Sequence, residues 1–117
     1  MKRTKILVVD DEREIREMSK SVLERAGYRV GVSQNAQQAL QLLDKEKDYE
    51  LVLTDLNLPG LNGLELIREI KKRHPNCKTL LMTGSFLVNY MDRKDCLHKP
   101  FNFIELVSKI EKCLSSP

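Results

Sequence analysis

Five polar residues stand just past the ends of short apolar runs, and their types suit chemistry on a charged group. Asp10 and Asp11 follow Ile6-Leu7-Val8-Val9, Asp55 follows Leu51-Val52-Leu53-Thr54, Thr83 follows Thr79-Leu80-Leu81-Met82, and Lys99 follows Cys96-Leu97-His98. Three carboxylates brought to one place repel one another. They either hold protons with coupled titrations or bind a hard divalent cation. Oxygen-only ligands with room for water suit Mg²⁺. Asp10, Asp11 and Asp55 would supply the carboxylates and Asn57 a backbone carbonyl. A metal beside a carboxylate points to phosphoryl transfer, with Asp55 attacking phosphorus to give an aspartyl-phosphate. Lys99 would then meet one phosphoryl oxygen as a compact cation, and the Thr83 hydroxyl another. Gly84 leaves space beside the phosphate.

The elements that must position these residues alternate along the chain. Lys5–Val9 reads as a strand covered on both faces, because it is short, β-branched and continuously apolar. Ile15, Met18, Val22, Leu23 and Ala26 recur at helical spacing, and Gly27 stands where that helix should end. Tyr28–Val32 is a second strand, after which Ser33 or Asn35 can cap a helix burying Ala36, Ala39, Leu40 and Leu43. Leu51–Thr54 is a third strand. Its turn, Leu58-Pro59-Gly60-Leu61-Asn62-Gly63, leads to a helix marked by Leu64, Ile67 and Ile70. Thr79–Met82 and Cys96–His98 are the last strands, and Asn102 can cap a final helix carrying Leu106, Val107, Ile110 and Leu114. Such βα alternation argues for a parallel α/β sheet with helices on both faces. In that architecture the C-terminal strand edge, where all five polar residues fall, is the ligand edge. Only Ser85–Asp95 breaks the pattern, since its apolar residues are bunched and it is short for a full helix.

Composition narrows the class. With 117 residues, 41% hydrophobic and 32% charged, the chain fits one domain, residues 1–117, with a packed core. No apolar run approaches the roughly 20 residues of a membrane helix. The basic start Met1–Lys5 leads into four apolar residues and then acids, which is no signal peptide, so a cytoplasmic location is expected. The three cysteines, Cys77, Cys96 and Cys113, form no C-x-x-C pair, which suits reduced thiols. The net charge of +3 is spread out, with few aromatics, so direct nucleic-acid binding is not expected. Pairs such as Glu12–Arg16 and Glu69–Arg73 read as helix-surface ion pairs.

On Ile6–Glu12, Leu53-Thr54-Asp55 with Leu58-Pro59-Gly60 and Gly63, Met82-Thr83-Gly84, and His98-Lys99-Pro100-Phe101, the chain resembles the receiver domains of two-component response regulators. Four blocks in order and spacing span essentially the whole chain. The resemblance implies a flavodoxin-like, doubly wound five-stranded sheet of order 2-1-3-4-5. It also implies an Mg²⁺-dependent phosphoacceptor at Asp55, a sensor histidine kinase or histidine phosphotransfer protein as donor, and regulation of a partner or output domain, with a phosphorylation-dependent homodimer among the outcomes. Thr83 would move inward on phosphorylation, Asn57 and Ser85 would tune phosphate loss, and the Lys99-Pro100 bond would be cis. The domain would catalyse its own phosphorylation and dephosphorylation without being a metabolic enzyme.

Two features depart from the family pattern. The stretch from Thr83 to Lys99 is shorter than usual, implying a shortened or irregular fourth helix. Cys96 occupies the position where many members carry the aromatic partner of the switch threonine. Both leave room for a degenerate receiver that acts as a phosphorylation-independent interaction module. An aspartate-nucleophile phosphatase of the haloacid-dehalogenase type fits less well, because the residue two past Asp10 is Glu12 where that pattern needs aspartate.

Overall fold

A computed structural model describes residues 3–84, 96–99 and 101–116. The expectations for Ser85 to Asp95 and for the Lys99-Pro100 bond lie outside the described residues. The described elements run β1 (Lys5–Val9), α1 (Arg13–Arg25), β2 (Arg29–Ser33), α2 (Ala36–Lys45), β3 (Tyr49–Asp55), α3 (Gly63–Arg73), β4 (Lys78–Thr83), β5 (Cys96–His98) and α4 (Phe103–Ser115). The five strands form one parallel sheet in the order β2-β1-β3-β4-β5, as the resemblance implied.

The unbroken apolar run of β1 follows from its place. It lies between β2 and β3 and has helices on both faces. Ile6 and Val8 pack with Leu23, Leu106 and Ile110 of α1 and α4. Leu7 and Val9 point the other way, into Ala36, Ala39 and Leu43 of α2 and Leu66 and Ile70 of α3. Strand periodicity of two thus feeds both layers from one segment. Because β2 and β3 leave β1 on opposite sides, the sheet's switch point falls between the C-terminal ends of β1 and β3.

Helix ends match their caps. Gly27, at φ 102°, closes α1 in a left-handed turn. Its N–H bonds Glu24 O (3.0 Å) and the Tyr28 N–H bonds Leu23 O (3.1 Å), a Schellman pair. That commitment moves the start of β2 from Tyr28 to Arg29. Of the two cap candidates for α2, Asn35 acts, accepting from the Gln38 N–H at 2.8 Å. Ser33 instead ends β2 and donates its hydroxyl to Asn35 O. α3 opens on a capping box between Asn62 and Glu65, and Asn102 caps α4 as expected.

At the other end of α4, the Lys78 ammonium from the start of β4 donates to the carbonyls of Cys113 (3.1 Å), Leu114 (3.2 Å) and Ser116. A cation there satisfies carbonyls that the helix leaves open and meets the negative end of its dipole. Among the expected ion pairs, Glu69–Arg73 forms at 3.4 Å. Glu12–Arg16 does not, because the guanidinium of Arg16 turns back to the carbonyl of Asp10 at 2.9 Å.

Candidate functional site

Asp10 directly follows β1 and Asp55 ends β3, and the parallel pairing of these neighbouring strands sets both at the C-terminal edge. Asp10 is 0% exposed and Asp55 5%, so neither charge is hydrated as it would be in the unfolded chain. Asp10 continues the β1–β2 ladder through its N–H to Ser33 O (3.1 Å). Its Oδ1 accepts the Glu12 N–H at 2.9 Å, so it serves the start of α1 from two residues before the cap residue, Glu12. Asp11, its neighbour, is exposed. One carboxylate oxygen from each of Asp10, Asp11 and Asp55 lies within 4.8 Å of the others.

Lys99 follows β5 and reaches across the edge. Its side chain is 25% exposed, and Nζ stands 3.5 Å from Asp10 Oδ2 and 3.4 Å from Asp55 Oδ1. The Lys99 N–H also bonds Thr83 O at 3.0 Å, fixing the end of β5 against the end of β4. Thr83 is fully buried. Asn57 is exposed, and its backbone N–H lies near enough to the Asp55 carboxylate to favour its ionised form. Among the described residues, a Cβ at Gly84 would meet nothing closer than Lys99 at 3.9 Å, an ordinary van der Waals contact. Cys96 is buried, pairs with Leu81 in the β4–β5 register, and packs with Leu56, Ile67 and Leu81 on the face toward α3. Strand alternation puts Thr83 on that same face. Ser85 lies outside the described residues.

Of the residues singled out from the sequence, Asp10, Asp11, Asp55 and Lys99 come together at this edge, Thr83 ends the adjoining strand β4, and Cys96 lies two positions along β5 from the strand end. Sequence reading missed the Arg16 contact, because a backbone carbonyl as partner leaves no trace in residue types.

Burial raises the pKa of Asp55 above the ordinary carboxylate value, and the charge of Asp10 adds to it. The Lys99 ammonium and the Asn57 N–H act the other way without cancelling it. A carboxyl with a folded-state pKa above its unfolded one is a group the fold prefers protonated. Its cost is absent in acid below pH 3.8, grows as pH rises through the folded pKa, and is full above it. Asp55→Asn should accordingly stabilise the metal-free protein at neutral pH by on the order of 1 kcal/mol, some 4 °C in Tm. The gap between variant and wild type should close on acidification, as urea melts across pH will show. A variant less stable at neutral pH would mean that Lys99 outweighs burial.

The donor chemistry fits a hard divalent cation. Two buried carboxylates share one ammonium and an exposed third stands beside them, leaving negative charge and open oxygen lone pairs at the edge. An open parallel sheet with such a cluster at its switch point belongs to the α/β proteins that handle a charged group at the strand C-termini. The chain is a member of the response regulator receiver domain family, whose model matches residues 6–111.

Among curated relatives it is similar to a transcriptional regulatory protein, a CpxR homolog of Haemophilus influenzae. The two are 37% identical over 117 aligned residues, covering 95% of this chain and 50% of the relative. It is also similar to the response regulator receiver protein CpdR of Brucella abortus, with 35% identity over 94% of this chain and 96% of the relative. The chain thus spans about half the length of the CpxR proteins it matches and nearly all of CpdR. Among solved structures, a CheY-like response regulator receiver domain protein from Methanospirillum hungatei superposes with a TM-score of 0.86 at 30% identity, covering 96% of this chain and 94% of that one. Among the described residues no helix is long and apolar enough to cross a membrane.

Proposed function

We propose that residues 1–117 act as one cytoplasmic receiver domain that takes a phosphoryl group onto Asp55 from a sensor histidine kinase or a histidine phosphotransfer protein. The observation that carries this is the Lys99 ammonium, 3.4 Å from Asp55 and 3.5 Å from Asp10, with Asp11 beside them at the sheet's switch point. Lys99 opposes the effect of burial on the Asp55 carboxyl, favouring its ionised, nucleophilic form, and then meets the phosphoryl oxygens as their charge builds. An Asp55 oxygen attacks phosphorus. The bond to the donor imidazole breaks with its electron pair going to nitrogen, leaving an aspartyl-phosphate. From the end of β4, the Thr83 hydroxyl donates a hydrogen bond to one phosphoryl oxygen. Asp10, Asp11, Asp55 and the Asn57 carbonyl are the residues that would hold Mg²⁺, which supplies charge neutralisation on the transferring group. Asn57 and Ser85, each two positions past a site residue, would set how readily water reaches the phosphate.

The domain on this reading is a signalling switch whose only catalysis is its own phosphorylation and dephosphorylation. Its output is a partner protein or domain, reached without direct contact to nucleic acid or membrane, and a phosphorylation-dependent homodimer is one form that output can take. The decisive test is intact-mass analysis after incubation with Mg²⁺ and acetyl phosphate. One phosphoryl adduct is expected, absent from Asp55→Asn and absent with EDTA. An adduct that persists in Asp55→Asn would move the acceptor elsewhere. No adduct either from acetyl phosphate or from a phosphorylated histidine donor would make the chain a phosphorylation-independent interaction module.

A further inference from the structure

The loop that carries Asp10 and Asp11 is three residues long, since β1 ends at Val9 and α1 begins at Arg13. Asp10 is tied at every polar group: N–H to Ser33 O, Oδ1 from the Glu12 N–H, Oδ2 to Lys99, and its carbonyl from Arg16 Nη1 at 2.9 Å. Asp11 is the opposite case. It is exposed, and among the described residues its carboxylate makes no hydrogen bond or ion pair of its own. What places it are the two peptide planes on either side. The plane before it is held through the Asp10 carbonyl by Arg16, and the plane after it through the Glu12 N–H by Asp10.

We infer that Arg16 is a positioning residue for Asp11, holding the loop so that the Asp11 carboxylate stays with those of Asp10 and Asp55 against their mutual repulsion. The inference rests on reading these three as a cation site. Asp10 and Asp55 are buried and cannot retreat, so relief of repulsion falls to the exposed partner, whose movement requires the 10–11 peptide to rotate. The Arg16 guanidinium opposes that rotation with a charge-assisted hydrogen bond. The reach is natural for α1, because helical side chains lean toward the N-terminus, and Arg16 sits in the first turn with its own N–H on Glu12 O (3.1 Å). Partners that orient ligands from behind in this way typically change metal affinity by about 10–100-fold when removed.

The sign of the effect separates positioning from bare electrostatics. Removing a positive charge near three carboxylates should by itself tighten cation binding. Removing a positioning residue should weaken it. Titration calorimetry of Mg²⁺ into wild type, Arg16→Ala and Arg16→Lys supplies the first readout, with circular dichroism to confirm folding. Arg16→Ala is expected to bind about tenfold more weakly, and Arg16→Lys, which keeps one donor, within about threefold of wild type. The amide signals of Asp11 and Glu12 in the metal-free protein supply the second, shifting or broadening in Arg16→Ala and staying near wild type in Arg16→Lys. Arg16→Gln replaces the alanine variant if that one does not fold. Mg²⁺ binding as tight as wild type in the alanine variant overturns the inference while leaving the proposed site intact. If wild type binds no Mg²⁺, the cation-site reading falls, and the amide comparison alone decides: unchanged signals sink the role of Arg16, and altered ones retain it as the loop's anchor.

Discussion

Lys99→Met should lower the melting temperature of the metal-free protein at neutral pH by about 10 °C, or about 2–3 kcal/mol. Lys99 is the cation shared by a fully buried Asp10 and a nearly buried Asp55. The methionine fills much of the same volume, so the loss is mostly electrostatic. Breaking a buried pair leaves its partner charged in a poor solvent, which costs more than the pair contributed. Two conditions should undo the damage. Mild acid should restore part of the stability, because the fold already favours protonated Asp55. Added Mg²⁺ should restore more, because a cation bound only by the native state shifts the equilibrium toward it. Phosphoryl uptake should still fall steeply, since charge at the site is then restored without the group that meets the phosphoryl oxygens. A thermal scan with EDTA, repeated with Mg²⁺, checks this, and a Tm unchanged in EDTA would contradict the shared-cation description.

Gly63→Ala is expected to destabilise by about 3 kcal/mol or more, although alanine is the better helix former. Gly63 is the first residue of α3, and its N–H bonds Leu56 O at 2.8 Å. An added Cβ would stand 2.3 Å from the Asp55 carbonyl oxygen, 2.9 Å from Leu56 Cα and 2.9 Å from a Leu81 methyl. Two of those three atoms are backbone and cannot rotate away. Relief therefore needs α3 to lift from the end of β3, which carries the peptide bearing Asp55 with it. Urea unfolding should show the loss, and the adduct yield should fall further than the loss of folded protein explains. A stability equal to wild type would mean that α3 slides along the sheet at little cost.

Much of this was legible from residue types. The apolar runs of β1 and β3 announced buried parallel strands, since nothing else makes so short a segment apolar on both faces. The polar residues ending those runs announced the edge at which they meet. What stayed hidden was how unequal the two adjacent aspartates are. Asp10 and Asp11 look alike in sequence, yet the hydrogen bond that carries the ladder past β1 buries one among Ser33, Glu12 and Lys99 while the loop leaves the other to solvent. Gly63 read as a turn residue, and its real constraint is the carbonyl of Asp55, distant in sequence and silent in composition. Arg16 was misjudged for the same reason, its partner being backbone. Strand ends moved by a residue or two where caps competed with ladders, as at Tyr28, whose N–H belongs to the end of α1.

The Lys78 clamp has a mechanical consequence. α4 is 13 residues long, a rod of about 20 Å. Its far end is tethered by one ammonium on three carbonyls, and its middle is seated in the core by Leu106 and Ile110. Its near end, which begins four residues after Lys99, carries Phe103 at 54% and Ile104 at 80% exposure. A rod held that way pivots more readily than it slides. Displacement arising at Lys99 would grow smaller along the helix and vanish at Lys78, so the first turn of α4 is the arm of the lever and β4 its fulcrum.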